Sequence, residues 1–178
     1  KNLLESFGRL NAFHGQMGMY VRALSYMLSH GADGLRQVSE DAVLSANYIK
    51  SSLEDVMSSA YEGYCMHEVL FNDDFLKDTD VETLDFAKAL IDKGYHPMTI
   101  YFPLVVHGAL LVEPTETESK FSIDQFILTM KDLVNKTQSD SDSFKSAPKY
   151  TPVRRLDETK AAREPILRWK KETIIAAE

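Results

Sequence analysis

The sequence predicts an α/β fold of the α+β sandwich type, in which a small sheet is covered on one face by helices. Apolar residues recur at helical spacing near the start, in the middle and towards the end of the chain. Short apolar runs, rich in β-branched and aromatic residues, lie between these stretches and predict strands. Two long helical patterns come first, and strands and helices alternate afterwards. The 178 residues are enough for one domain with a substantial core.

The first part of the chain predicts two helices separated by glycines. One apolar stripe runs through residues 17–28 and a second runs through residues 35–56. Gly31 and Gly34 lie between the stripes and interrupt the pattern, because glycine is unfavourable inside a helix. We therefore predict a helix on each side of the two glycines, and we assign residues 1–34 to an N-terminal segment of their own.

Three short segments predict the strands of the sheet. Residues 64–71 are rich in bulky side chains, and residues 98–102 and 109–112 are apolar runs too short for globular helices. Pro103 and Gly108 interrupt the connection between the last two segments, as turn residues do. The sequence therefore predicts one strand after the first helices and two more in the middle of the chain.

Two further helices accompany the strands. Thr79 and Glu82 form a capping-box pattern ahead of an apolar stripe over residues 81–91. Gly94 follows that stripe, where a glycine typically ends a helix. A last strong stripe over residues 123–134 predicts the final helix of the core.

The end of the chain is predicted to lie outside the core. Residues 35–137 form the small α/β domain, the polar segment 138–150 is interpreted as a variable linker, and residues 151–178 form a basic C-terminal tail. Nine basic and three acidic residues lie between positions 145 and 171, although the whole chain has a net charge of −7. An acidic body with a basic tail predicts that the tail packs on an acidic surface, its own or a partner's. The tail also has side chains apolar enough to dock on the domain or on a partner subunit, namely Val153, Leu156, Ile166, Leu167 and Trp169.

Composition argues against several classes of partner and site. No apolar run approaches the roughly 18 residues of a membrane span, and the tail has no nucleic-acid-binding motif, so we expect neither a membrane nor a nucleic-acid partner. Cys65 is the only cysteine, which excludes an internal disulfide. No two histidines have the i, i+4 spacing of a helical metal site, so we expect no metal. The single thiol fits a reducing compartment, and we expect a cytoplasmic protein.

Five motifs together resemble one known family. In chain order they read HGQMGMYVRALSYMLSHGADGLRQVSEDAVLSANYIK, CMHEVL, DFAKALIDKGYHP, VEPTETES and TPVRRLDETKAAREPILRW. In this order and spacing they resemble the C-terminal part of the pyridoxal-phosphate (PLP) dependent glycine decarboxylase, the P-protein of the glycine cleavage system, in its two-subunit bacterial form. The resemblance implies the small C-terminal domain of a fold type I PLP-dependent transferase, with a three-stranded, mainly antiparallel sheet covered by helices.

The resemblance also implies an activity and partners. The family decarboxylates glycine with PLP and passes the aminomethyl group to the lipoyl arm of the H-protein, and subunit 1 of the P-protein is a second partner. No PLP-lysine motif occurs in this sequence, and in the family the cofactor lies in a larger N-terminal domain. The chain enters its first helix soon after Lys1, as if cut from a longer protein, and we interpret residues 1–34 as N-terminal helices that continue from a missing PLP-binding domain. We therefore expect a fragment that has no catalytic residue and no bound PLP, and that is inactive alone.

Four residues are candidates for the rim of an active-site cleft. His96 precedes a proline at a boundary between loop and strand, and Glu113 and Thr115 stand at the end of a predicted strand. His67 is the fourth candidate, because a histidine followed by glutamate recurs in the family's motif. For each of them the alternative is a structural role in a turn or a hydrogen bond, and the same alternatives apply to His107 between two strands.

The remaining carboxylates of VEPTETES have a simpler interpretation. Glu116 and Glu118 are interpreted as solvated turn residues that favour the N-terminal dipole of the following helix. Thr115, Thr117 or Ser119 is expected to cap that helix.

Two other functions stay open from the sequence. Another fold type I PLP enzyme, an aminotransferase or a lyase, would have a small domain of the same architecture, and a different lysine motif in the intact chain would favour it. The third hypothesis is a non-catalytic interaction module that retains the fold. An open reading frame that extends upstream into a PLP-binding domain would exclude this third hypothesis.

Overall fold

A three-stranded sheet and the helices packed on it make up the described part of the chain. The structure is a computed structural model that describes residues 15–168 together with Glu5 and Gly8. In chain order its elements are α1 (Met17–Leu53), β1 (Val69–Phe71), a 3-10 turn (Asp74–Leu76), α2 (Thr83–Asp92), β2 (Thr99–Ile100), β3 (Leu110–Val112), α3 (Lys120–Lys136), α4 (Ser141–Lys145) and α5 (Glu158–Arg163). Strand β3 lies between β1 and β2 and pairs antiparallel with both, so the predicted fold class is confirmed.

The register of the sheet determines which strand side chains enter the core. Val69 pairs with Val112 and Phe71 with Leu110, and all four side chains are buried. Because side chains alternate between the two faces of a strand, these four lie on the same, helix-covered face. The helices complete the core with Ile49 and Leu53 from α1, Phe86 and Leu90 from α2, and Ile123, Ile127, Met130 and Leu133 from α3.

The first helix changes direction at Gly31. This residue has a φ of 65° and a ψ of −175°, far from helical values. A residue with a side chain rarely adopts such a positive φ, whereas glycine does so readily. The predicted break between two helical stretches is therefore confirmed at Gly31. We call the stretch before it, residues 17–30, the arm.

The first strand is much shorter than the sequence predicts. Only Val69–Phe71 pairs with β3, and residues 64–68 form an irregular connection. The reason lies in α1, where the Asn47 amide donates to the Cys65 carbonyl at 2.8 Å and accepts from the Cys65 backbone N at 3.0 Å. These backbone groups are bonded to the helix and are unavailable to the sheet. His67 consequently lies before β1 and not within a strand.

The second core helix begins later than its sequence pattern indicates. Glu82 is the N-cap of α2 and forms a capping box with Asp85. The predicted N-cap, Thr79, closes the preceding turn, where its hydroxyl accepts from the backbone N of Val81 at 3.1 Å. Gly94 follows the C-cap with a φ of 85°, as the sequence predicts.

The segment 138–150, which the sequence analysis interprets as a linker, packs on the core through two of its side chains. It contains α4, and its side chains Phe144 and Ala147 are only 2% and 1% exposed. The Phe144 ring stacks on Phe86 of α2 with the ring centroids 6.2 Å apart. One aromatic side chain therefore anchors a segment whose other residues are mostly polar.

The chain just before the basic tail is bonded to α2. The Asp92 carboxylate accepts from the backbone N atoms of Lys149 and Tyr150 at 2.7 and 3.0 Å. Further along, Nη1 of Arg155 lies 2.6 Å from Oδ1 of Asp85. Arg155 of the basic tail thus finds an acidic partner, Asp85, on its own domain, as the charge of the tail predicts.

Beyond these contacts the apolar side chains of the tail stay in solvent. Val153, Leu156, Ile166 and Leu167 are all exposed. The packing that the sequence predicts for them on the domain's own surface is therefore not found in the described tail, and packing on a partner remains a prediction. Trp169, the last residue of that prediction, lies outside the described residues.

Candidate functional site

One edge of the sheet gathers the residues that the sequence proposes for a cleft. Because β3 is antiparallel to its neighbours, β1 and β2 begin at the edge where β3 ends. His67 and His96 lie just before β1 and β2, and Glu113 directly follows β3. We call this edge, with His67, His96, Glu113 and Thr115, the rim.

Two neighbouring pockets open at the rim. The first, of about 390 Å³, lies between the sheet and α3 and is lined by His96, Glu113 and Glu118 above apolar side chains. Tyr95 and Phe126 meet beneath it with ring centroids 5.5 Å apart. The second pocket, of about 340 Å³, lies between α1 and the turn after β3, and it is lined by His67, Glu113 and Thr115. Glu113 lines both pockets and is the centre of the rim.

His67 and Glu113 form a loose pair at the second pocket. Nε2 of His67 lies 3.9 Å from Oε1 of Glu113, and the two side chains are 55% and 57% exposed. An ion pair this exposed contributes little to stability. Both groups are therefore accessible to another molecule, and an imidazole beside a carboxylate is a pair able to accept and donate protons.

Helix α1 positions the connection that carries His67. Asn47 holds both backbone groups of Cys65, two residues before His67. Lys50, one turn further along α1, donates to the carbonyl oxygens of Tyr61 and Gly63, just before this connection. Sequence reasoning missed Asn47 and Lys50, because a helical polar pair gives no signal that its partner is a distant loop. The family motif that contains SANYIK was the only hint.

The turn after β3 is closed by its own hydroxyl groups. Ser119 is the N-cap of α3 and accepts from the backbone N of Ser122 at 3.1 Å. Oγ1 of Thr115 lies 2.7 Å from Oγ1 of Thr117. Of the three residues expected to cap this helix, Ser119 does so, and Thr115 stays at the mouth of the second pocket.

Glu116 has a partner that its interpretation as a solvated turn residue does not include. The hydroxyl of Tyr26, on the arm, donates to Oε1 of Glu116 at 2.6 Å. This hydrogen bond lowers the pKa of Glu116 and raises the pKa of Tyr26. The two residues are far apart in sequence, so no local pattern could reveal the contact.

His107 lies at the opposite edge of the sheet from the rim. Its Nδ1 is 2.9 Å from Oδ1 of Asp73, and its side chain is 94% exposed. The hydrogen bond with Asp73 and the negative charge there raise the pKa of His107. Its position away from both pockets favours the structural alternative for this histidine.

We expect the contribution of the His107–Asp73 pair to stability to decrease as pH rises. The pKa of His107 is raised above its usual value of 6.5. The pair therefore stabilises the fold fully below that value and loses its effect as pH rises through the raised pKa. Urea unfolding should show a larger loss for His107→Gln at about pH 6 than at about pH 8.5. The matched control is His96→Gln, and equal losses for His107→Gln at both pH values would contradict the expectation.

The chemistry available at the rim is that of carboxylate, imidazole and hydroxyl groups. No lysine or arginine is among the described residues that line the two pockets. Residues 15–168 contain no group of three or more histidine, cysteine, aspartate or glutamate side chains arranged to hold a metal ion. Among the helices of that same range, none combines the length and the hydropathy needed to cross a membrane.

Comparison with known proteins identifies the family. Residues 38–151 match the family model described as glycine dehydrogenase, C-terminal domain. The chain is similar to probable glycine dehydrogenase (decarboxylating) subunit 2 of Caulobacter vibrioides, with 67% identity over 167 residues, 93% of this chain and 32% of that protein. Proteins of the same name from Staphylococcus haemolyticus and Kosmotoga olearia are 48% and 46% identical, over 94% of this chain and 34% and 35% of theirs.

The match covers most of this chain but only part of each relative. The chain spans about a third of the length of these curated relatives. The region matched by the family model contains the sheet, the rim and the segment 138–150, and the resemblance read from the five motifs is confirmed. The chain belongs to the family of the glycine dehydrogenase C-terminal domain.

Proposed function

We propose that this chain is the C-terminal domain of a PLP-dependent glycine decarboxylase and that its rim forms one wall of the active-site cleft. The whole enzyme, in the cytoplasm, would remove CO2 from glycine and pass the aminomethyl group to the lipoyl arm of an H-protein. The observation that carries the proposal is the convergence of His67, His96 and Glu113 on one sheet edge beside two pockets. The names of the relatives support glycine as the substrate.

The rim does not fit PLP as a binding site of its own. The cofactor needs a lysine amine to bond its aldehyde and a set of cations or backbone N–H groups to hold its phosphate. The described lining of the pockets contains no lysine or arginine, and Glu113, Glu116 and Glu118 would repel a phosphate. On this proposal the PLP-holding residues lie in the part of the longer enzyme that this chain does not cover, and subunit 1 completes the assembly.

The residues of the rim then act on whatever lies in the cleft. Nε2 of His67 and Oε1 of Glu113, 3.9 Å apart, can bind a cationic amine placed between them, and either group can exchange a proton with a bound molecule. His96 and Thr115 can orient a substrate or the lipoyl arm by hydrogen bonds. The apolar wall of the first pocket, with Phe126, would exclude water from the mouth of the cleft.

The arm provides a second argument for the same proposal. One of its faces carries large apolar side chains that are all exposed in this chain, namely Met17, Tyr20, Val21, Leu24, Met27 and Leu28. A contiguous apolar surface of this kind marks an interaction site in a water-soluble fold. The chain spans about a third of the length of its relatives, and on this proposal the other two thirds of the enzyme would cover this face. We therefore assign residues 1–34 to the junction with the PLP-binding domain and residues 35–137 to the small domain.

A hybrid enzyme tests the proposal. In it, this chain replaces the matching region of the Caulobacter vibrioides relative, to which it is 67% identical, and the product is assembled with subunit 1 and PLP. We expect the hybrid to exchange CO2 with the carboxyl group of glycine at a rate within about tenfold of the parent enzyme's.

Two controls make the result decisive. The parent enzyme without the replaced region should lose the exchange reaction, and the intact parent must show it. A hybrid that folds and binds PLP as the parent does, but has no exchange activity, would contradict the proposed function.

A further inference from the structure

The arm has two faces with different surroundings. Successive helical residues are rotated by about 100°, so Val21, Leu24 and Leu28 share one face, and all three are exposed. Tyr26 lies about 200° of rotation beyond Leu24, on nearly the opposite face. Its hydroxyl donates to Glu116 at 2.6 Å. The apolar face therefore points away from the domain, while the back of the arm bonds to the turn after β3.

Both ends of this contact are held by their own surroundings. The Tyr26 ring lies against the His30 ring with centroids 4.4 Å apart. Glu116 belongs to the turn that Thr115 and Thr117 close through their hydroxyl groups and that Ser119 joins to α3. Neither partner depends on the other for its local conformation, so the bond fixes the relative placement of two separately formed parts.

The helix that connects the arm to the rest of the domain is interrupted at one residue. Gly31 departs from helical φ and ψ, so the direction of the arm is not set by an unbroken helix. A Cβ added at Gly34 would lie 3.0 Å from the Cβ of His30, so the residues on the two sides of the break are in close contact. The angle of the arm must therefore be set by contacts such as the bond from Tyr26 to Glu116.

We propose that Tyr26 and Glu116 are positioning residues that fix the angle between the arm and the rim across the joint at Gly31. The inference rests on the proposed function, in which another domain covers the apolar face of the arm. Glu116 lies three residues after Glu113, at the second pocket. The bond therefore sets where a body seated on the arm lies relative to the rim.

The test uses the hybrid enzyme, and its first measurement is amide hydrogen exchange at residues 30–34. Tyr26→Phe removes only the hydroxyl, and Glu116→Ala removes the acceptor. Both should speed exchange there by about fivefold, the effect of losing one hydrogen bond. Glu116→Gln keeps an acceptor oxygen and should restore most of the protection. Tyr150→Phe is the matched control, because Tyr150 is an exposed tyrosine outside the arm whose backbone N bonds to Asp92 of α2.

The second measurement is the rate of glycine–CO2 exchange by the same variants. If the two residues have a positioning role, kcat falls in Tyr26→Phe and in Glu116→Ala, with little change in the KM for glycine. The kcat of the double variant should then be no lower than that of the less active single variant. Faster amide exchange with an unchanged kcat would support the claim that the bond from Tyr26 to Glu116 fixes the arm at Gly31. It would contradict the proposed function of the rim. Unchanged amide exchange at residues 30–34 in both variants would overturn the positioning role, whatever the rates.

Discussion

Arg155→Ala is expected to lower the free energy of unfolding by about 3 kcal/mol, because it leaves a buried carboxylate without its countercharge. The Asp85 side chain is 8% exposed and lies 2.6 Å from Nη1 of Arg155. The same guanidinium donates to the carbonyl oxygens of Phe144 and Ala147 at 3.1 and 3.0 Å. One side chain therefore joins the tail to α2 and to the segment 138–150, and its loss affects all three.

Urea unfolding of the chain, monitored by circular dichroism, measures this loss of stability. Arg154→Ala is the matched control, since Arg154 is the exposed neighbour, and it should change stability by less than about 0.5 kcal/mol. Adding Asp85→Asn to Arg155→Ala should recover part of the loss, because a neutral amide leaves no buried charge unpaired. Equal losses in the two arginine variants would show that the ion pair contributes nothing measurable.

The second large effect is expected on catalysis by the hybrid enzyme. His96→Ala or Glu113→Ala should lower glycine–CO2 exchange by about ten- to hundredfold while PLP stays bound, which corresponds to the loss of one orienting hydrogen bond. His107→Ala, at the opposite edge of the sheet, is the matched control and should keep the parental rate.

The melting temperature distinguishes a catalytic effect from a structural one. Exchange that is unchanged in His96→Ala and Glu113→Ala, with folding intact, would show that the rim does not face the chemistry. If exchange and melting temperature fall together, the two residues have the structural role that the sequence also allowed.

The order of elements followed from local patterns in the sequence, and the exceptions have identifiable tertiary causes. Gly31 interrupts a helix and Gly94 follows the end of one, because glycine adopts the positive φ found there more readily than other residues. Residues 64–68 look like a strand, but Asn47 takes the backbone hydrogen bonds of Cys65. The segment around Phe144 looks like a linker, but that single ring fills a place beside Phe86.

The candidate site was predictable as a set of residues but not as an arrangement. His67, His96 and Glu113 could be singled out from their positions next to strands, whereas the antiparallel order that brings them together depends on pairing between distant segments. The sequence predicts a solvated Glu116, because its partner, Tyr26, belongs to a helix far away in the sequence. Contacts of this kind leave no signal in a single sequence.

The reactivity of three histidines tests most directly whether the rim faces the cleft. Diethyl pyrocarbonate modifies accessible imidazoles, and mass spectrometry gives a rate for His67, His96 and His107 in one sample. The rate of each histidine in the assembled hybrid enzyme is divided by its rate in the isolated chain, which removes the effect of the raised pKa of His107. We expect His67 and His96 to react several-fold more slowly in the assembled enzyme, and His107 to react at the same rate in both. Equal rates for His67 and His96 in the two samples would contradict the account, because the rim would then face solvent and not the active site.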